Sequence, residues 1–185
     1  MVNTLRKALA GFLLVPGGPP EPLPAEPHLP EKVVTRASSL RGYSDKDKAL
    51  QFMVLPGHEE TDVLRKLRDV IVEKQAAPGK VRYEDGMNLV VFRGVFGSGG
   101  YDLAVRTVKW NQGVLEVECD FESPGEGIRT TAGFTQPAAI IPLKRLPVGK
   151  YYAKLLVRTL RRSSHGVQVE KPGHEAANFS FKVCA

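Results

Sequence analysis

The chain of 185 residues is long enough to bury one hydrophobic core without help from a metal or a disulfide scaffold. Its composition, 42% apolar and 25% charged, is ordinary for a globular protein, and no apolar run reaches the roughly 18–20 residues of a membrane-spanning helix. Two cysteines and four histidines exclude a Cys-rich zinc fold. The net charge of +6 does not by itself indicate nucleic acid, because basic and acidic residues are interspersed. The concentrated basic spots, Arg158 with Arg161 and Arg162, and Lys144 with Arg145, have no nucleic-acid motif around them and read as solvated faces.

Residues 1–15 place a basic pair, Arg6 and Lys7, before a short apolar stretch. That is the order of a secretory signal, although no small-x-small cleavage site follows, and a short docking element fits equally. Residues 16–30 contain seven prolines, whose fixed φ and missing N–H groups exclude helix and central strand. An extended linker is expected there, with a single folded domain over 31–185. Strands are expected at 32–37 and 50–55. A helix follows over 59–75, where Val63, Leu64, Leu67, Val70 and Ile71 recur at helical spacing. Asp62 and Lys74 suit its dipole, and Ala77-Pro78-Gly79 ends it.

After the helix the pattern changes to period two. Over 114–121, Leu115, Val117, Cys119 and Phe121 share one face, while Glu116, Glu118 and Asp120 share the other. Further strands are expected at 88–95, 101–110, 137–143, 151–161 and 178–184, with a tight hairpin at Asn111-Gln112-Gly113. Together these predict a mainly β fold: an antiparallel β-sandwich, immunoglobulin-like or jelly-roll-like, with one packed α-helix.

No catalytic constellation emerges from the residues. The serines lack a nucleophile elbow, and Ser163-Ser164-His165 reads as a polar loop. Cys184 and His174 are near each other in sequence, but a chain end rarely holds catalytic geometry. Cys119 and Cys184 alternate to opposite faces and read as free thiols. His58-Glu59-Glu60 lacks the second histidine of a zinc protease. Asp120, Glu122 and Glu126 are weak calcium candidates without EF-hand spacing, and a solvated acidic turn is the simpler reading. With no phosphate-binding or dinucleotide fingerprint either, the expectation is a binding protein: not an enzyme, and without a cofactor.

The most distinctive stretch is the apolar run at 88–95, the turn Gly97-Ser98-Gly99-Gly100-Tyr101, and the alternating strand after it. The glycines serve either tight-turn geometry or a backbone presented to a partner. This order of features resembles the PrcB C-terminal domain family, a subunit type of bacterial surface protease complexes. The resemblance rests on 89–94, an apolar strand ending in glycine, on Gly99-Gly100-Tyr101, on 114–117, on Pro124-Gly125 and on Thr135-Gln136-Pro137. The chain departs from the family in lacking a lipoprotein cysteine and in having Ser98 where threonine is usual.

The resemblance implies a non-catalytic protein-interaction module, an accessory subunit of an exported protease complex, located outside the cytoplasm. Its expected partner is a protein such as a protease, not nucleic acid. The expected contact surface is Gly97, Ser98, Gly99, Gly100 and Tyr101 together with Thr135, Gln136 and Pro137, with Tyr101 as an aromatic anchor. The same turn faintly resembles the T-G-Y loop of chagasin-type protease inhibitors, which gives an alternative function. A calcium- or carbohydrate-binding sandwich is a further one.

Overall fold

A computed structural model of the protein describes residues 34–37, 50–143 and 146–185. The expectations for residues 1–33 and for Lys144 and Arg145 lie outside the described residues. Strand β1 is Val34–Ala37, β2 is Gln51–Pro56, and α1 is Glu60–Val72. Strands β3 (Lys80–Arg82), β4 (Met87–Phe92), β5 (Phe96–Ser98), β6 (Asp102–Asn111) and β7 (Val114–Pro124) follow. The chain ends with β8 (Ala132–Thr135), β9 (Pro137–Pro142), β10 (Gly149–Ser163) and β11 (Gly166–Cys184).

The layers follow from burial. A four-stranded sheet, ordered β1-β9-β4-β2, packs on a five-stranded sheet, ordered β3-β11-β10-β7-β6. Leu89, Val91, Ala139 and Ile141 of the first meet Leu115, Val117, Cys119, Leu155 and Val157 of the second. On the other face of the four-stranded sheet, Val63, Leu67 and Ile71 of α1 cover Met53, Leu55, Val90, Phe92 and Ile140. Every residue of β4 is therefore buried. A strand covered on both faces needs a continuous apolar run, and 87–92 supplies one in place of alternation. Its polar member, Asn88, donates through Nδ2 to the carbonyl of Gly57 at 2.8 Å.

The sandwich with one packed helix is as the sequence predicts. One correction concerns strand direction: the five-stranded sheet is mixed, since β10 pairs with β7 in parallel and β3 with β11 in parallel. The chain leaves this sheet after β7, passes through β8 and β9 elsewhere, and re-enters beside β7 from the same end. Side-chain alternation carries no signal of direction. The hairpin β6–β7 has Gln112 at φ 47 and Gly113 at φ 88, the two left-handed positions of a type I′ turn. Lys74 lies beyond the helix end at φ 57 and no basic residue occupies the last turn, so the expected dipole partner is missing there. No described helix is long and apolar enough to cross a membrane.

Both thiols are free, Cys119 buried in the core and Cys184 partly exposed. Burial pushes the Cys119 thiol up to about 12 from its ordinary 9.0. A pKa raised by folding contributes stability that is complete below the ordinary value and is lost as pH climbs from about 9 toward 12. We expect a thiol reagent to titrate Cys184 in the native protein and Cys119 only in denaturant. The urea-unfolding free energy should fall over that alkaline window, less steeply in Cys119→Ala. Equal labelling rates for the two thiols, or equal slopes, would contradict this.

Candidate functional site

The strand β4 ends at Phe92, and the chain then turns out of the sheet through Arg93 and Gly94, the latter at φ 116. Arg93 is nine-tenths buried, with a relative exposure of 8%. Its backbone N–H donates to the carbonyl of Pro137 at 2.9 Å, which extends the β4–β9 ladder by one rung. Its guanidinium donates to the carbonyl of Asp102 at 2.7 Å, to the carbonyl of Glu122, and to Ser123 Oγ at 2.6 Å. The same guanidinium lies 5.0 Å from the Phe96 ring centre, 5.4 Å from Tyr101 and 5.0 Å from Phe121. Burial lowers its pKa to about 10, which leaves it charged at neutral pH.

Around this cation stands a two-stranded ribbon of β5 and β8, separate from both sheets. Phe96 opposes Thr135 and Ser98 opposes Ala132. Two steps on β5 thus face three on β8, a bulge that sets Gly97 against both Gly133 and Phe134. Thr135 Oγ1 donates to the carbonyl of Ser98, and the Gly99 N–H donates to the carbonyl of Thr131 at 2.9 Å. Tyr101 stacks on Phe96 with ring centres 4.0 Å apart and planes 10° from parallel. The ribbon is therefore tied to the sandwich through Tyr101, Phe96 and the arginine beneath them.

The structure brings the two expected segments together, 97–101 and 135–137, and divides their residues by role. Gly99 is a packing glycine, since a Cβ there would lie 2.4 Å from Thr131 Oγ1. Gly100 has φ 86 and abuts Thr130 and Pro124. Gly97 is different. It is exposed, lies in ordinary extended backbone, and a Cβ there would meet nothing within 4 Å. Among the described residues, neither conformation nor neighbours require glycine at 97. Ser98, Tyr101 and Thr135 are half-buried. The side chains of Gln136 and Pro137 are buried at the foot of the ribbon.

Sequence reading missed Phe134 and Arg93. Phe134 is 60% exposed, beside Gly97 at the bulge. Its signal was an isolated aromatic directly after Thr130-Thr131-Ala132-Gly133, a run that contains no large apolar residue. The signal for Arg93 was a charge inside the otherwise apolar 89–96 stretch.

The weak calcium candidates are occupied otherwise. Asp120 takes two hydrogen bonds from Arg158, at 2.8 and 2.6 Å, and Glu122 pairs with Arg162, while Glu126 lies exposed in the following turn. Among the described residues no three metal-ligating side chains gather at one point. Arg161 pairs with Glu170, so the basic trio of β10 is matched by carboxylates. Ser163 closes its hairpin through the carbonyl of Gly166 at 3.1 Å. His174 and Cys184 lie ten residues apart on β11, roughly 30 Å at strand rise, and form no dyad. Two hollows of about 120 and 200 Å³, under α1 and over β7 and β10, are smaller than the roughly 300 Å³ of a ligand pocket.

Residues 87–144 match a family model described as PrcB C-terminal. The match runs from the first residue of β4 to just past β9, and so contains Arg93, the whole ribbon and every residue of 97–101 and 135–137. The resemblance read from the sequence holds over that span. Neither the curated proteins nor the solved structures include one that matches this chain.

Proposed function

We propose that this PrcB C-terminal-like domain is a non-catalytic interaction module whose contact surface is the β5–β8 ribbon, and that its partner is an exported protease. The observation that carries this reading is Gly97 beside Phe134. A glycine that nothing among the described residues requires adjoins an aromatic side chain with 60% of its surface in water. An exposed aromatic on a rigid ribbon is the kind of anchor that dominates protein interfaces, and a neighbouring glycine lets the partner's chain approach. Arg93 and the Phe96–Tyr101 stack hold this surface in place before binding, which lowers the ordering cost of association.

The test uses two parallel baits, the full chain and its Phe134→Ala variant, in a pull-down from the native extract. Wild type should recover a protease, and Phe134→Ala should recover at least tenfold less with an unchanged melting temperature, because an exposed side chain contributes little to folding. Equal recovery by both baits, or recovery of no protease, would overturn the proposal. A pure papain-like enzyme inhibited by the wild-type chain would move the reading to the inhibitor class.

A further inference from the structure

The outer face of the five-stranded sheet carries a ladder of matched charges along most of its length. Glu116 and Glu118 on β7 face Lys109 on β6 at 3.6 and 2.6 Å, and Glu118 also faces Arg106 at 3.7 Å. On β10, Lys154 meets Glu175 at 3.3 Å, while Arg158, Arg161 and Arg162 meet Asp120, Glu170 and Glu122. Opposite charges on neighbouring strands are mutually stabilising, and like charges directly across are not. One row breaks this pattern. Lys80 of β3 is directly opposite Lys182 of β11, which is directly opposite Lys150 of β10.

Val81, Phe181, Val183 and Tyr151, the residues between these positions, are buried on the inner face, so all three lysines project outward and are exposed. Arg82, close by at the end of β3, is exposed too. Glu84 and Asp85 follow in the next turn, yet among the described residues no carboxylate forms an ion pair with Lys80, Arg82, Lys150 or Lys182. The row is flanked on β10 by Tyr152, 49% exposed, and preceded by Val148, 61% exposed. Folding has thus placed like charges side by side, with apolar groups at their rim and no ion-pair partner among the described residues.

We propose that this end of the sheet docks on an anionic phospholipid surface. Charge complementarity selects an anionic occupant, and the residue types select a lipid surface over one acidic segment. Lysines are flexible point charges suited to a plane of scattered phosphates, where paired recognition of a single carboxylate favours arginine. Tyrosine and a small aliphatic side chain beside them suit the headgroup boundary.

Co-sedimentation of the full chain with vesicles of mixed phosphatidylglycerol and phosphatidylcholine, against phosphatidylcholine alone, tests this. Binding should be confined to the anionic vesicles and should weaken as salt is raised. The triple variant Lys80→Gln, Lys150→Gln, Lys182→Gln should bind about a hundredfold more weakly, since each lysine near an anionic surface contributes about fivefold. Lys109→Gln, which removes a matched charge, should bind as wild type does. Absence of wild-type binding, triple-variant binding equal to wild type, or full displacement by inorganic phosphate or a poly-glutamate peptide would overturn the proposal. The last outcome would identify a soluble anion or an acidic protein as the ligand.

Discussion

Arg93→Met should lower the unfolding free energy by about 2–4 kcal/mol and loosen the ribbon before the rest of the domain melts. Two effects oppose each other. Burying the guanidinium has a cost, visible in a pKa pulled down to about 10, and a methionine would relieve it. Against this, the variant strands the carbonyls of Asp102 and Glu122 and the hydroxyl of Ser123, each about 1–3 kcal/mol where water cannot reach. It also removes the cation from among three rings, at about 0.5–2 kcal/mol. The losses outweigh the relief. Urea melts would give the total, and amide exchange at Gly99, whose N–H bridges to Thr131, would report the ribbon. A loss under about 1 kcal/mol, with Gly99 protection unchanged, would show that the ribbon holds itself without the arginine.

Tyr151→Ala should be the more damaging change, at about 3–5 kcal/mol, with loss of cooperative unfolding at ordinary temperatures. Tyr151 is 1% exposed and stacks with Phe181 at 5.5 Å, while Trp110 lies at 6.0 Å. Phe179 and Phe52 continue the cluster, joining β2 of one sheet to β11 of the other. Its hydroxyl donates to the carbonyl of Pro147 at 2.7 Å and pins the turn that enters β10. Tyr151→Phe separates the two contributions: it keeps the ring and should lose only about 1 kcal/mol. If Tyr151→Phe proved as damaging as Tyr151→Ala, the turn, and not the aromatic cluster, would organise this corner.

Much of this fold is legible in the residues. The helix shows because Val63, Leu67 and Ile71 face one layer only, so their spacing records the face they cover. Strand β7 shows for the same reason, since its buried and exposed positions alternate along its length. Strand β11 shows only from Asn178 onward. Its first half extends beyond the core and pairs with β10 alone, so the short alternation of Val167 and Val169 stays exposed and Pro172-Gly173 interrupts it. Strands β3, β5 and β8 have three, three and four residues, too few to establish any period.

The candidate site divides in the same way. That 97–101 and 135–137 are special could be read from glycine, tyrosine and proline in one order, because local backbone demands select those residues. That the two segments meet, that Gln136 turns inward and that Phe134 turns outward follow from pairing across nearly forty positions. The row of Lys80, Lys182 and Lys150 is likewise invisible along the chain, since its members become neighbours only through two strand registers. By itself the sequence determined the mainly β class, the helix, the alternating strands and the family pattern within 87–144, all of which are read from near neighbours. Tertiary structure alone decided the parallel pairings, the caged arginine and which lysines stand side by side. Those depend on residues far apart in the chain, and local propensity has no term for them.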